Sequence, residues 1–278
     1  FGGHGHLQRP ARLLAESGEG LRGGLALRVV LAGEVLEGLF EALRFRGMTD
    51  VFRGEPDTAA VHIEEALALF RSVKDRRGEA WGLQNLAWIA FQRGRHEKAE
   101  ARLTASATAF GELGDWGGVA WALGLLAWVH FSQGKLDEAQ SLGEQILRES
   151  RELGNRWAAA MMQVLLSNIA LWRGETESAL RNATEAREAF VELSDAWGEL
   201  QSLTPLVQAL NGLGRGTEAM AMLDVIEEVA TRTADIGMRR IPTLLRVAIL
   251  TQRGHPDALP LAQAMQVEFG DEVFISDE

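Results

Sequence analysis

The sequence contains no cysteine. Disulfides and thiolate nucleophiles are therefore excluded, and the absence fits a reducing, cytoplasmic setting. Proline is scarce, six in 278 residues, which favours long uninterrupted helices. Basic charge is in short supply as well: 28 Lys and Arg stand against 39 Asp and Glu, a formal net charge of −11. A segment of that sign is not expected to grip nucleic acid, whose affinity rests on cations neutralising phosphates. Long hydrophobic runs are missing too. The densest, Leu123 to Phe131, is interrupted by His130 and too short for a membrane span. The chain opens on Phe1 and a run of Gly and His without a basic-then-apolar leader, and it reads as a piece of something longer.

What is present is apolar and helix-forming. Ala, Leu, Glu and Arg dominate, and the apolar share of 46% is enough to build a core. Glycine recurs at Gly54, Gly94, Gly134, Gly174, Gly214 and Gly254, each 40 residues after the last. Five residues further on run Ala59, Ala99, Ala139, Ala179 and Ala219, a row that ends at Leu259. A third row is Asp75, Asp115, Asn155, Asp195 and Asp235. Three rows on one spacing identify a repeat protein.

Each row has a physical role. Stretches before each glycine, such as Ala80 to Gln92, are apolar-rich and free of proline, whereas His96 to Phe110 spaces Ala99, Leu103, Ala107 and Phe110 by three and four. The glycine ends one helix where the chain must turn back, often through positive φ. The alanine lets two helix backbones approach closely. The Asp or Asn is placed to cap the next helix. The unit is helix, tight turn, helix, loop. The expected plan is an irregular N-terminal partial repeat over 1–38, with a helix from Leu21 to Leu31, then one continuous all-α solenoid of antiparallel helix pairs over 39–278. It closes on a helix near Ala258 to Glu268 and an acidic tail from Asp271 to Glu278.

Leu86-Ala87, Gly94 and Ala99, closed by Asp115 and echoed by Leu126-Ala127, Gly134 and Ala139, resemble the tetratricopeptide repeat pattern. HEAT and armadillo repeats have a similar length, but the Gly-then-Ala turn belongs to tetratricopeptide units. The 40-residue unit is similar to the longer repeats of MalT-type and antibiotic-regulator-type bacterial signal-transduction regulators. The resemblance implies a right-handed superhelix whose first helices line the concave face, and a sensor or interaction arm beside an ATPase switch and an output domain.

On that reading the groove carries Trp81, Gln84, Trp88 and Phe91 in one unit and Trp121, Gly124, Trp128 and Phe131 in the next. Met161, Val164, Asn168, Leu171 and Trp172 follow, then Gln201, Thr204, Gln208 and Asn211, so the groove turns from aromatic to polar. A tryptophan on a stacked helix commonly packs between units, and Trp116, Trp157 and Trp197, at loop-to-helix junctions, are read that way. The larger set is expected either to be closed over by superhelical curvature or to leave an apolar surface that a protein, a peptide or a small apolar effector covers. Chaperone-binding tetratricopeptide domains hold a C-terminal carboxylate with inner cations; the matching stripe here has none, which argues against that partner. The alternative is an architectural arm that packs on its parent protein or on another copy.

Nothing asks for catalysis or a cofactor. His4, His6, His62, His96, His130 and His255 form no metal-ligand spacing. Gly212-Leu213-Gly214-Arg215-Gly216 follows a helix, lacks a Lys-Ser/Thr, and coincides with the repeat's own turn, so it is not read as a phosphate loop. Glu64-Glu65 and Glu227-Glu228 read as solvated helix faces.

Overall fold

The computed structural model describes residues 56–232, 241–252 and 254–269. Gly54, Asp235, His4, His6, the partial repeat over 1–38 with its helix, and the acidic tail lie outside them. Among the described residues are eleven helices and no strand. They are α1 (Pro56–Val73), α2 (Arg76–Gln92), α3 (His96–Glu112), α4 (Trp116–Ser132), α5 (Leu136–Glu152) and α6 (Arg156–Trp172). Then follow α7 (Thr176–Glu192), α8 (Ala196–Gly212), α9 (Gly216–Thr231), α10 (Ile241–Gln252) and α11 (Ala258–Phe269). The even-numbered helices are the first helices of the units, and the odd-numbered ones the second.

Each helix packs on the next in the chain, as a stack of antiparallel pairs requires. A second set of contacts bends the stack. α2 touches α4, α4 touches α6, α6 touches α8 and α8 touches α10, whereas among the described residues no two second helices bring their backbones comparably close. The first helices therefore form the inner row of a curved solenoid.

The alanine row explains how the pairs come so close. Ala59, Ala99, Ala139, Ala179 and Ala219 are all fully buried near the start of a second helix. The capping row also does what its chemistry suggests. The carboxylates of Asp75, Asp115 and Asp195 and the amide oxygen of Asn155 accept from the N–H of Gly78, Gly118, Gly198 and Ala158 at 2.9–3.1 Å. Each satisfies an otherwise orphaned donor at the start of a first helix. The equivalent residues ahead of the second helices, Arg95, Lys135, Glu175 and Arg215, make no side-chain cap.

The backbone repeats on a shorter beat than the side chains do. From α2 to α8 every helix has 17 residues, and three residues join each to the next. Lys74, Gly94, Gly114, Gly134, Gly154, Gly174, Ser194, Gly214 and Gly254 consequently hold the same place in successive turns, all with φ between 55° and 75°. The following residue's N–H reaches back to a carbonyl of the preceding helix, as Asp115 does to Phe110 and Lys135 to His130, both at 2.9 Å. This is the hydrogen bond that closes a helix through a left-handed residue.

Lys74 and Ser194 pay for this geometry with a side chain in a region that L-residues avoid. Lys74→Gly and Ser194→Gly are each expected to stabilise the fold by about 1 kcal/mol. Chemical denaturation of the single variants checks this; midpoints at or below that of the unmodified chain would show that these turns are not strained.

Candidate ligand-binding inner face

The inner face is built by first helices that bury residues on nearly every side. Apolar side chains on one flank pack against the second helices, and those on the other pack against the neighbouring first helix. Charge is pushed outward by this arrangement. α4 contains no Asp, Glu, Lys or Arg, and α6 contains only Arg156 at its first position. The second helices carry most of the charge and join ion pairs such as Arg151–Glu185 at 3.2 Å, while Arg76 and Glu79 of α2 pair with each other at 3.0 Å. At the start of α2, the hydrogen bond from Arg71 holds the Glu79 carboxyl below its ordinary value, with burial opposing it and Arg76 assisting.

Trp81, Trp88, Phe91, Trp121, Trp128 and Phe131 of the expected groove are half-buried. The Trp81 ring meets Phe110 edge-on, with centroids 5.0 Å apart. Trp88 leans on Phe91 at 5.5 Å and Trp128 meets Phe131 at 5.9 Å. Trp121 stacks on Trp157 of the next first helix at 4.6 Å. Trp128 also packs against the buried cluster of Ala160, Val164, Ala186 and Phe190, and its indole N–H is buried without a partner. Trp121 and Trp128 thus bridge successive units, whereas the Trp81–Phe110, Trp88–Phe91 and Trp128–Phe131 pairs lie within one unit.

Two expectations need correcting. Gln84 does not line an open groove. It is 4% exposed, and its Oε1 has no hydrogen-bond partner. Its stripe position, like that of the buried Gly124 and Val164 one and two units later, lies where first helices close on each other. Trp116 is not a packing residue, because 66% of it is exposed. The other junction residues are half-buried, and Trp157 is tied down by a 2.5 Å hydrogen bond from its Nε1 to Asp195.

The remaining positions offer more open surface. Asn168 is half-buried and donates from Nδ2 to the Val164 carbonyl at 2.9 Å. Gln208 is exposed. Trp172, at the last residue of α6, is 75% exposed. Trp172→Ala is therefore expected to leave thermal stability within about 0.5 kcal/mol of the unmodified chain. A larger loss in a melting experiment would mean that this indole supports the fold.

A pairing of phenylalanine with glycine between units explains why Trp121 stacks as it does. Phe70, Phe110 and Phe190 stand in the last turns of their second helices and lie over Gly78, Gly118 and Gly198, where an added Cβ would come within 2.2–2.3 Å of the ring. In the third unit the pair is Ser150 and Ala158, both buried. Trp81 packs on Phe110, but Trp121 has a serine at the matching position and stacks on Trp157 instead. The exchange of both partners in one unit was visible as a paired change 40 residues apart.

Among the described residues no three His, Asp or Glu side chains gather as a metal site, and no helix is long and apolar enough to cross a membrane.

A sequence profile of the tetratricopeptide repeat matches residues 38–112 and 91–149. No curated protein matches the chain in sequence. Similar solved structures include a Rap protein complexed with competence and sporulation factor, 15% identical with a TM-score of 0.69, in which 82% of this chain covers 65% of that one. The Rap conjugation gene regulator of plasmid pLS20, in complex with the Phr peptide, is 16% identical with a TM-score of 0.71; 92% of this chain covers 70% of it. BtubC from P. vanneervenii is 17% identical with a TM-score of 0.60, over 82% of this chain and 94% of the other. The chain thus spans just under two thirds of the first of these. It is a helical-repeat solenoid of the tetratricopeptide type. The finer likeness to MalT-type regulators rests on the sequence resemblance alone.

Proposed function

We propose that the chain is a protein- or peptide-binding scaffold that holds its partner along the inner face. The observation that carries this reading is the segregation of charge. A curved row of helices nearly free of charge faces inward, and the charged helices face solvent. An inner row of this kind suits an uncharged segment, because a charged ligand would be desolvated there without a counter-ion. Two structures of similar fold, the Rap protein and the pLS20 regulator, are complexes with competence and sporulation factor and with the Phr peptide, respectively.

The test is selection of a random-sequence peptide library displayed on phage against the purified chain. The reading expects uncharged peptides whose binding is weakened by Asn168→Asp and Trp172→Ala, and unchanged by Arg148→Glu on the exposed face of a second helix. Absence of any selected peptide, or equal sensitivity to the outer-face variant, would sink it.

The finer reading is a sensor or interaction arm of a cytoplasmic bacterial transcriptional or signalling regulator, without catalytic activity of its own. It stands on the sequence resemblance, and a full-length chain with no ATPase or output module would overturn it.

A second reading, self-association, is favoured by the turns that lead into the first helices. Leu113, Leu153 and Leu193 are 42%, 65% and 38% exposed at equivalent places, with Trp116 beside the first of them. Light scattering over a concentration series decides it: a strict monomer removes this reading.

A further inference from the structure

Between α8 and α10 the inner face opens into a depression of about 270 Å³, which is the gap between two successive first helices. Its floor is aliphatic: Leu245 is 7% exposed and Ile249 3%. Its rim is amide. Gln208 and Asn211 stand on α8 and Gln252 on α10, with the exposed Ala248 beside them. Among the described residues no charged side chain lines it.

The amides are arranged with hydrogen-bonding capacity left over. Asn211 donates from Nδ2 to the Gln252 Oε1, a bond that fixes both side chains across the gap. That leaves the Asn211 Oδ1 as an acceptor and the Gln252 Nε2 as a donor, while Gln208 offers one of each. A rim that presents donors and acceptors without charge matches a peptide unit, which carries one N–H and one C=O. The aliphatic floor matches a side chain of the Val, Leu or Ile class. A carboxylate or ammonium would meet no counter-ion there and lose its hydration.

We propose that this depression is the specificity pocket of the inner face, taking an uncharged aliphatic side chain of a bound polypeptide while Gln208, Asn211 and Gln252 hold the adjoining peptide unit. The assignment rests on the reading of the inner face as a polypeptide-binding surface, and it names which end of that surface selects and what it selects.

The experiment uses the peptides selected from the phage-displayed random library and measures their affinity for three chains: the unmodified one, Ala248→Trp and Asn211→Asp. Ala248→Trp fills the depression from an exposed position, and Asn211→Asp places a negative charge on its rim. Melting curves confirm that each variant folds. Both variants are expected to weaken binding about tenfold or more, and replacing one aliphatic residue of the peptide by alanine should lose a similar factor on the unmodified chain but little on Ala248→Trp. Peptides that bind all three chains equally, yet are lost with Trp172→Ala, would overturn the pocket and leave the inner-face reading standing. Selected peptides that require a charged residue against the α8–α10 gap would also overturn it. If no peptide is selected at all, both readings fail together.

Discussion

Replacing Gly118 by alanine is expected to destabilise the solenoid by about 2–3 kcal/mol, and to do so only while Phe110 is present. The added Cβ would lie 2.3 Å from a carbon of the Phe110 ring, far inside the roughly 3.5–4.0 Å of a favourable carbon contact. Phe110 is 0% exposed, so the ring has nowhere to move and the two helices must separate. A double-mutant cycle isolates the cause. Phe110→Ala alone should cost about 3–5 kcal/mol through the cavity it leaves. In that background Gly118→Ala should cost nothing, or help by up to about 1 kcal/mol, because alanine is the better helix former. Equal cost of Gly118→Ala in both backgrounds, measured by chemical denaturation, would show that the ring is not what excludes a side chain here.

The second large effect is expected at Glu199. This residue is 5% exposed on α8 and faces two guanidinium groups, Arg187 of α7 at 3.5 Å and Arg232 just past α9 at 2.9 Å. One carboxylate thus joins three successive helices, and the Arg187 Nε beside it is buried without a partner of its own. Glu199→Gln should cost about 3 kcal/mol, the lower end for breaking a buried ion pair, because Arg232 is half exposed and its share is screened. One unit earlier the same two places hold Leu147 and Ala159, which belong to one apolar cluster. Arg187→Leu combined with Glu199→Ala is therefore expected to recover most of the loss. A double variant no more stable than Glu199→Gln would mean that the ionic cluster has a role that packing cannot replace.

The repeat and its cause were legible in the sequence because the residues concerned are dictated by backbone geometry. Only certain residues fit a left-handed turn, a fully buried close approach or a helix cap, so Gly94, Ala99 and Asp115 recur on the lattice. The 20-residue beat was concealed because Lys74 and Ser194 occupy turns where glycine stands elsewhere, and because first and second helices differ in composition. The groove was less legible. Lattice position showed which stripe faces inward, but not how tightly successive first helices close, and that closeness buries Gln84 while Gln208 on the same face stays open. Curvature depends on contacts between residues 40 apart, so no single helix's spacing reveals it. The Phe–Gly pairing was within reach, since Phe70, Phe110 and Phe190 precede Gly78, Gly118 and Gly198 by eight residues each time. Its signal is a coupled exception in one unit, which a search for identical residues passes over.

That exception decides how the array can be shortened or shuffled. Excising residues 75–114 brings Phe70 over Gly118, a junction of the kind already present, and excising 115–194 brings Phe110 over Gly198 with the same result. Excising 115–154 instead sets Phe110 against Ala158, an aromatic ring against a methyl group with no room for it. The units share a length but not a common splice, and the boundary at Ser150 and Ala158 is the one at which single modules cannot be exchanged freely.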